Sequence, residues 1–434
     1  MRKKVLAIAL AIFLVALAGC GNSDSSAQQG DSGGAAQQGQ GGNNADEVVL
    51  TYWNFTSTDM PFEADLIASF EAAHPGIRIN VERVSVEHFH DQIIMAARTN
   101  TLPDIIQGIP EWSSNFINAG VMADITTDIQ DVYGTFIEDA INLSSWDGRV
   151  YGLPFRFGTS ATFINTRIFD EAGIPIPTSW TWDEFRDIAM QVTDSSRNVY
   201  GFGIPAARHD LGFSWNYFSF AFQNGASYLD GNRAVFNSPE GAEALDFLIQ
   251  MMRDGIMPAG TPSFTAADVV DAFGAGTLAM FHNGPWYVAT IQTAYPDIEF
   301  VTVPLPTRRA GTQSASVAGG TYLSVTATTE HYAQALAFIK YMTSEQTMRE
   351  WAGRGEFLPP VRALLDDDSF IQGHMIAFAQ QAQLPSVGIG ATVENTTLLD
   401  VIQDYMARAL IGNISSQEAL DAAAERWNEI LAGS

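Results

Sequence analysis

"VVLTYWNFTSTDMPFEADLIASFEAAHPGIRINVERVSVEHFHDQIIMAARTNTLPDIIQG", residues 48–108, decides the fold. Its opening "VVLTYW" (48–53) is a β-rich apolar run that reads as a buried strand. Asp59 then offers an N-cap, Pro61 suits a first helical turn, and Leu66, Ile67 and Phe70 recur on one face until Pro75-Gly76 ends the helix. "IRINVERV" (77–84) alternates like a half-buried strand, 86–99 reads as a second helix, and "PDIIQG" (103–108) as a third strand. Strand, helix, strand, helix, strand implies right-handed crossovers and a largely parallel sheet. Ligands of such sheets sit beyond the carboxyl ends of the strands. Those ends are Trp53-Asn54-Phe55-Thr56 and the loop from Gln107 to Trp112.

The alternation continues along the chain. "YGLPFRFGTSATFINTRIF" (151–169) is extended up to about Ile164. Helices are expected at 181–194, 239–254, 265–275, 330–343, 394–411 and 415–431, with strands at 277–284, 298–305 and 321–327. No internal repeat is visible.

The amino end has a different character. Arg2, Lys3 and Lys4 precede an apolar run of about 15 residues, shorter than the roughly 20 a spanning helix needs. A basic head, a short apolar core and small residues mark a secretory signal. Its ending, Leu17-Ala18-Gly19-Cys20, resembles the lipobox of bacterial lipoproteins, which implies cleavage after 1–19 and lipidation of Cys20. Multiple acyl chains anchor stably where one binds marginally. Residues 20–46 then form a tether: from Gly21 to Asn44 there is no aromatic and no aliphatic larger than Ala, too little to offset chain entropy.

Composition excludes whole classes. The chain carries 22 basic and 49 acidic residues; without the three cations of the leader the balance is −30. Such a surface repels phosphate backbones, so no nucleic-acid partner is expected. Cys20 is the only cysteine, so no internal disulfide holds the fold.

Several phrases then point to a family. "LTYWNF", "LPDIIQG", "YGLPFRFGTSATFINTRIFDEAGI", "WTWDEF", "FQNGASYL", "AFGAGTLAMFHNGPW", "VAGGTYLSV" and "AFIKYMTSEQ" stand in order over about 45–360. Together they resemble the extracellular solute-binding proteins of ABC importers, in the maltose-binding-protein-like carbohydrate branch. The resemblance implies an α/β, two-lobed periplasmic-binding-protein fold, each lobe a mostly parallel sheet flanked by helices, joined by a multi-segment hinge. Residues 47–157 and 288–317 would form lobe 1, and 158–287 and 318–434 lobe 2. Hinge crossings would fall near 156–159, 284–287 and 317–320, where glycines tolerate dihedral change.

A sugar offers a hydroxyl rim to polar side chains and C–H faces to aromatic rings. The resemblance and the strand ends together nominate Trp53, Trp112, Trp215 and Trp286 as stacking rings. Glu111, Arg156, Asn224, Arg354, Thr56 and Asn54 are the polar candidates, and Gly319-Gly320 would offer backbone N–H groups. The alternative for each is core packing or a solvated salt bridge. Trp146, Trp180, Trp182 and Trp427 read as structural. Position 112 is Trp where the maltose-binding proteins carry a basic residue, and "NFTST" (54–58) lacks their charged pair, so maltose itself is disfavoured.

The implied role is a non-enzymatic receptor that captures a sugar or oligosaccharide between its lobes. It would deliver that cargo to ABC permease subunits from outside the cytoplasm, as a monomer anchored to the cell membrane through Cys20. No cofactor or metal is expected. A glycoside hydrolase would pair two carboxylates about 5–10 Å apart, and Glu111 has no obvious second acid. No G-x-S-x-G elbow, Walker motif or dinucleotide glycine motif is present. "EHFHD" (87–91) places His88 and Asp91 on one helical face but His90 elsewhere, a poor metal site. Polyol and peptide cargoes remain as alternatives.

Overall fold

A computed structural model describes residues 47–55, 61–208, 210–352, 357–367, 369–389 and 394–433. The leader, Cys20 and the tether to residue 46, as well as Thr56 and Arg354, lie outside the described residues. Strand β1 (Val48–Asn54) pairs in parallel with β2 (Ile77–Arg83), from Val48↔Ile77 to Asn54↔Arg83, and with β3 (Ile105–Gly108) at Tyr52↔Ile105. Helices α1 (Pro61–Ala73) and α2 (Val86–Thr99) make the crossovers, and Asn100 ends α2 in the left-handed region at φ 52°. Opening strands and helices therefore match the pattern read from 48–108. Beyond β3 the expected loop is a helix, α3 (Pro110–Asn118). Pro110 occupies its first position, where a missing N–H costs nothing because helices leave that donor unpaired anyway.

Helix α4 (Glu138–Asn142) precedes the hairpin β4 (Ser145–Trp146) and β5 (Arg149–Val150). Asp147 and Gly148, at φ 47° and 72°, supply the two left-handed positions that its tight turn needs. Strand β6 (Leu153–Thr159) is buried throughout and leads into β7 (Ala161–Asn165), which starts the second sheet. Helices α5 (Thr166–Ala172), α6 (Trp182–Val192) and α7 (Gly212–Gln223) follow. A hairpin of β8 (Leu229–Asp230) and β9 (Arg233–Ala234) leads to α8 (Pro239–Arg253) and α9 (Ala266–Gly274). Next come β10 (Met280–Asn283), α10 (Trp286–Ala294) and β11 (Phe300–Val303).

The second sheet departs from the parallel expectation. Its order is β10-β7-β11, and both neighbours run antiparallel to β7. The cause is topological: β10, α10 and β11 form a crossover that straddles β7, which enters from β6 in the opposite direction.

Strand β12 (Ser316–Val325) belongs to the first sheet and runs from the second core, at Val317, to the first, at Leu323 and Val325. Its residues 316–318 pair with β13 (Ser386–Gly388), 318–323 with β6, and 322–325 with β3. Helix α11 (Tyr332–Met342) then covers the first sheet, with Phe338 and Ile339 beside Tyr52 and Phe70. The strands do not follow the expected segment division. The segment 288–317 contributes β11 to the second sheet, because 284–287 turns directly into α10. Residues 322–325 pair with β3, and 332–342 cover that first sheet. The chain next forms α12 (Glu345–Ala352), α13 (Arg362–Leu365) and α14 (Met375–Ala382), then β13, α15 (Asn395–Leu410) and α16 (Ser416–Gly433).

Helices α15 and α16 complete the second core. Leu398, Ile402, Met406 and Trp427 pack with Ile164, Phe169 and Phe218. Trp427 is wholly buried, its ring edge-on to Tyr228 and Phe236 at 5.3 and 4.9 Å. Trp182, 1 % exposed, donates its indole N–H to Gln223 Oε1 at 2.7 Å. Each such indole removes roughly 150–250 Å² from water, on the order of 4–6 kcal/mol. Trp182 and Trp427 are structural, as their positions suggested.

Candidate functional site

Where β6 and β12 pass each other, two glycines face one another in register, Gly158↔Gly319. A Cβ on Gly319 would stand 2.3 Å from Trp215 Cη2, and one on Gly158 would stand 3.0 Å from Pro285 Cδ and 3.1 Å from Trp286 Cζ3. The glycine pair is therefore a floor on which two indoles rest. Trp215 comes from the first turn of α7 and Trp286 from the start of α10. Their rings meet edge to face, centroids 5.6 Å apart at 85°, the geometry that ring quadrupoles favour. Phe357 extends the aromatic wall, 5.9 Å from Trp286. Arg156 places its guanidinium 4.9 Å from the Phe357 ring centroid, within cation–π range.

Glu111 supplies the carboxylate of this wall. It sits in the first turn of α3, 4 % exposed, and its Oε1 accepts the Trp215 indole N–H at 3.3 Å. Burial pushes its carboxyl above the usual range, against the opposing pull of a backbone N–H and of Trp215. Two partly exposed tryptophans, one arginine and one buried acid thus converge where two strands and three helices meet. Such a surface can hold an apolar face by stacking and a polar rim by hydrogen bonds.

Other expected residues lie elsewhere. Trp112 is 8 % exposed, with Phe55, Phe89 and Phe116 at 5.4, 5.7 and 6.0 Å from its ring. It is core packing, because α3 turns it inward where a loop would have left it out. Trp53 stays half-buried against that same aromatic cluster. Asn54 is fully buried and donates to Glu63 Oε1 at 3.0 Å, while Glu63 pairs with Arg83 at 2.9 Å; it ties β1 to α1. Asn224 ends α7, nine residues beyond Trp215, and donates to the Glu240 carbonyl and Glu243 Oε2. Gly320, expected for its N–H, stands opposite Phe157 in the β12–β6 ladder. Its φ of +146°, with an added Cβ 2.1 Å from the Arg156 carbonyl oxygen, explains the glycine instead.

Phe357, Gly158 and Asn395 were not nominated by the sequence. Nothing around Phe357 in "GEFLPP" singles it out, and Gly158 is one of several glycines in a turn-rich region. Asn395 donates to the Glu111 carbonyl oxygen at 3.3 Å from 284 residues away, a contact only the tertiary fold creates.

The family profile described as "bacterial extracellular solute-binding protein" matches residues 65–377. The chain belongs to that family.

Solved structures repeat the architecture of this solute-binding protein. An ABC transporter solute-binding protein from Thermotoga lettingae, bound with α-D-tagatose, superposes with a TM-score of 0.78 at 22 % identity, over 88 % of this chain and 100 % of that one. A Listeria monocytogenes ABC substrate-binding protein in complex with cycloalternan gives 0.78 at 21 %, over 89 % and 100 %. The two-lobed fold of the maltose-binding type is thereby shown. Among curated relatives, the arabinooligosaccharide-binding protein of Bacillus subtilis is 24 % identical over 82 % of this chain and 80 % of its own length. The multiple sugar-binding protein of Streptococcus mutans is 23 % identical over 78 % and 77 %. Membership of that extracellular family places this solute-binding protein outside the cytoplasm.

Proposed function

We propose that this protein is the carbohydrate receptor of an ABC importer. Its cargo would stack on Trp215 and Trp286, with Phe357 alongside and Glu111 and Arg156 meeting the hydroxyl rim. The observation that carries this reading is the pair of orthogonal indoles on a glycine floor beside one buried carboxylate. Relatives named for arabinooligosaccharides and multiple sugars, and structures holding tagatose and cycloalternan, support the same class. Among the described residues Glu111 is the one acid placed in this aromatic wall, which favours holding a glycoside over cleaving it. Acylated Cys20 would tether a monomer to the membrane, with 21–46 as leash, and closure of the lobes would present cargo to the permease.

Unfolding of the unit Asp46–Ser434 against mono-, di- and oligosaccharides, polyols, peptides and amino acids tests this. A ligand that binds only the folded state at a hundredfold excess over Kd adds roughly 2.7 kcal/mol. A rise with one sugar, recovered intact, is the expected result. Recovery of that sugar cleaved, or a rise with peptides alone, refutes the proposal.

A further inference from the structure

Glu111 receives two donors from the second half of the molecule, and only one of them faces the ligand wall. Trp215 reaches its carboxylate, which a bound ligand would contest. Asn395, at the start of α15, reaches its main-chain carbonyl oxygen at 3.3 Å. That amide is wholly buried, so no ligand hydroxyl competes for it. Its Oδ1 lies 3.1 Å from the Tyr228 hydroxyl, which is also 3.1 Å from the Ile389 carbonyl oxygen. Tyr228 is itself 6 % exposed and packed on Phe218 and Trp427 of the second core. Asn395 is thus oriented by one half of the protein while it bonds the other. Helix α3 belongs with the first sheet and α15 with the second core.

We propose that Asn395, held by Tyr228, is a positioning residue that latches α15 onto α3 and sets how much of the ligand-free protein is closed. A contact made only when the halves approach stabilises the closed form whatever the cargo, and apparent affinity scales with the closed fraction. Trp215 to Glu111 is the ligand-exchangeable half of the closure contact; Asn395 to Glu111 is the permanent half. This rests on the two-lobed receptor reading but not on the sugar assignment, since its test contains no ligand.

Asp46–Ser434 contains no cysteine, and solved relatives are covered in full by about this stretch. Spin labels can therefore be placed at Met95→Cys on α2 and Met190→Cys on α6, two methionines 55 % and 43 % exposed. Pulsed dipolar distances without ligand are expected to show a short, closed population. Asn395→Asp keeps the side-chain size and a helix-start residue but removes the amide donor. Tyr228→Phe keeps the ring but removes the orienting hydroxyl. Each should lower the ratio of short to long distances by roughly three- to tenfold, the range of one net hydrogen bond. A merely structural role would lower the unfolding temperature and leave that ratio in place. A single long distance in the unsubstituted chain overturns the latch, as does a distribution that neither variant moves.

Discussion

Replacing His282 with leucine should flatten the acid limb of the stability curve by about one proton. The imidazole is 3 % exposed on β10, enclosed by Phe185, Phe202 and Phe220 with ring centroids at 5.1, 4.8 and 5.5 Å. Neither ring nitrogen has a hydrogen-bond partner among the described residues. Burial alone depresses its pKa from 6.5 to about 3, because the charged form finds neither water nor an acceptor. The sign follows from linkage. Between those values the unfolded chain binds a proton that the folded chain refuses, so stability falls as pH drops below 6.5. The slope is about 1.4 kcal/mol per pH unit, and the loss by pH 5 is about 2 kcal/mol. His282→Leu removes that term. It should also gain stability at pH 8, since an unpaired buried polar group costs roughly 1–3 kcal/mol. Guanidinium unfolding of both proteins at pH 8, 7, 6 and 5 is the assay. His374, also depressed by burial, and Glu111, raised by it, titrate alike in both proteins and cancel in the difference. Parallel stability curves from pH 8 to 5 would refute the reasoning.

Glu111→Gln keeps an acceptor for Trp215 while removing a charge that is costly to bury. A raised folded pKa means the acid contributes stability below its unfolded pKa and loses it as pH rises through the folded one. The variant should therefore melt higher than the parent at pH 8, converge with it near pH 4, and bind the cognate sugar less tightly by calorimetry. Gly319→Ala puts a methyl 2.3 Å from Trp215; the ring must tilt off its floor. Sugar-induced stabilisation should disappear while the fold loses only about 1–3 kcal/mol, the usual cost of overpacking, as read by chemical denaturation. Gly320→Ala meets the backbone oxygen of Arg156 at 2.1 Å and a φ of +146°. Backbone cannot yield as a side chain does, so it should cost more than Gly319→Ala in the same titration; equal costs would mean the ladder is softer than its geometry implies.

Periodicity made most helices and strands legible, with ends within a few residues. Helix 239–254 is observed as Pro239–Arg253, and 394–411 as Asn395–Leu410. Short or uniformly apolar helices escaped. The sequence "GFSWNYFSFAFQ" buries nearly all of its faces, which erases the period that amphipathic reading needs. The site was half legible. Glu111, Trp215, Trp286 and Arg156 come together, but Trp112 and Asn224 do not, because residue type cannot reveal which way a helix turns its side chains. The strands depart from the expected segment division for a related reason. Glycines at 284 and 319–320 look alike in sequence, yet the first is followed by a helix that stays with its sheet, while the second pair lies on a strand that runs from one core to the other.

Strand β12 also dictates an order of assembly. The second sheet needs nothing beyond Val303, whereas β3 and β6 wait for residues 318–325. A chain emerging from its amino end therefore completes its later-encoded sheet first. The sheet that begins at Val48 gains its last strands only after more than 260 further residues have been delivered. Pairings this distant in sequence close slowly.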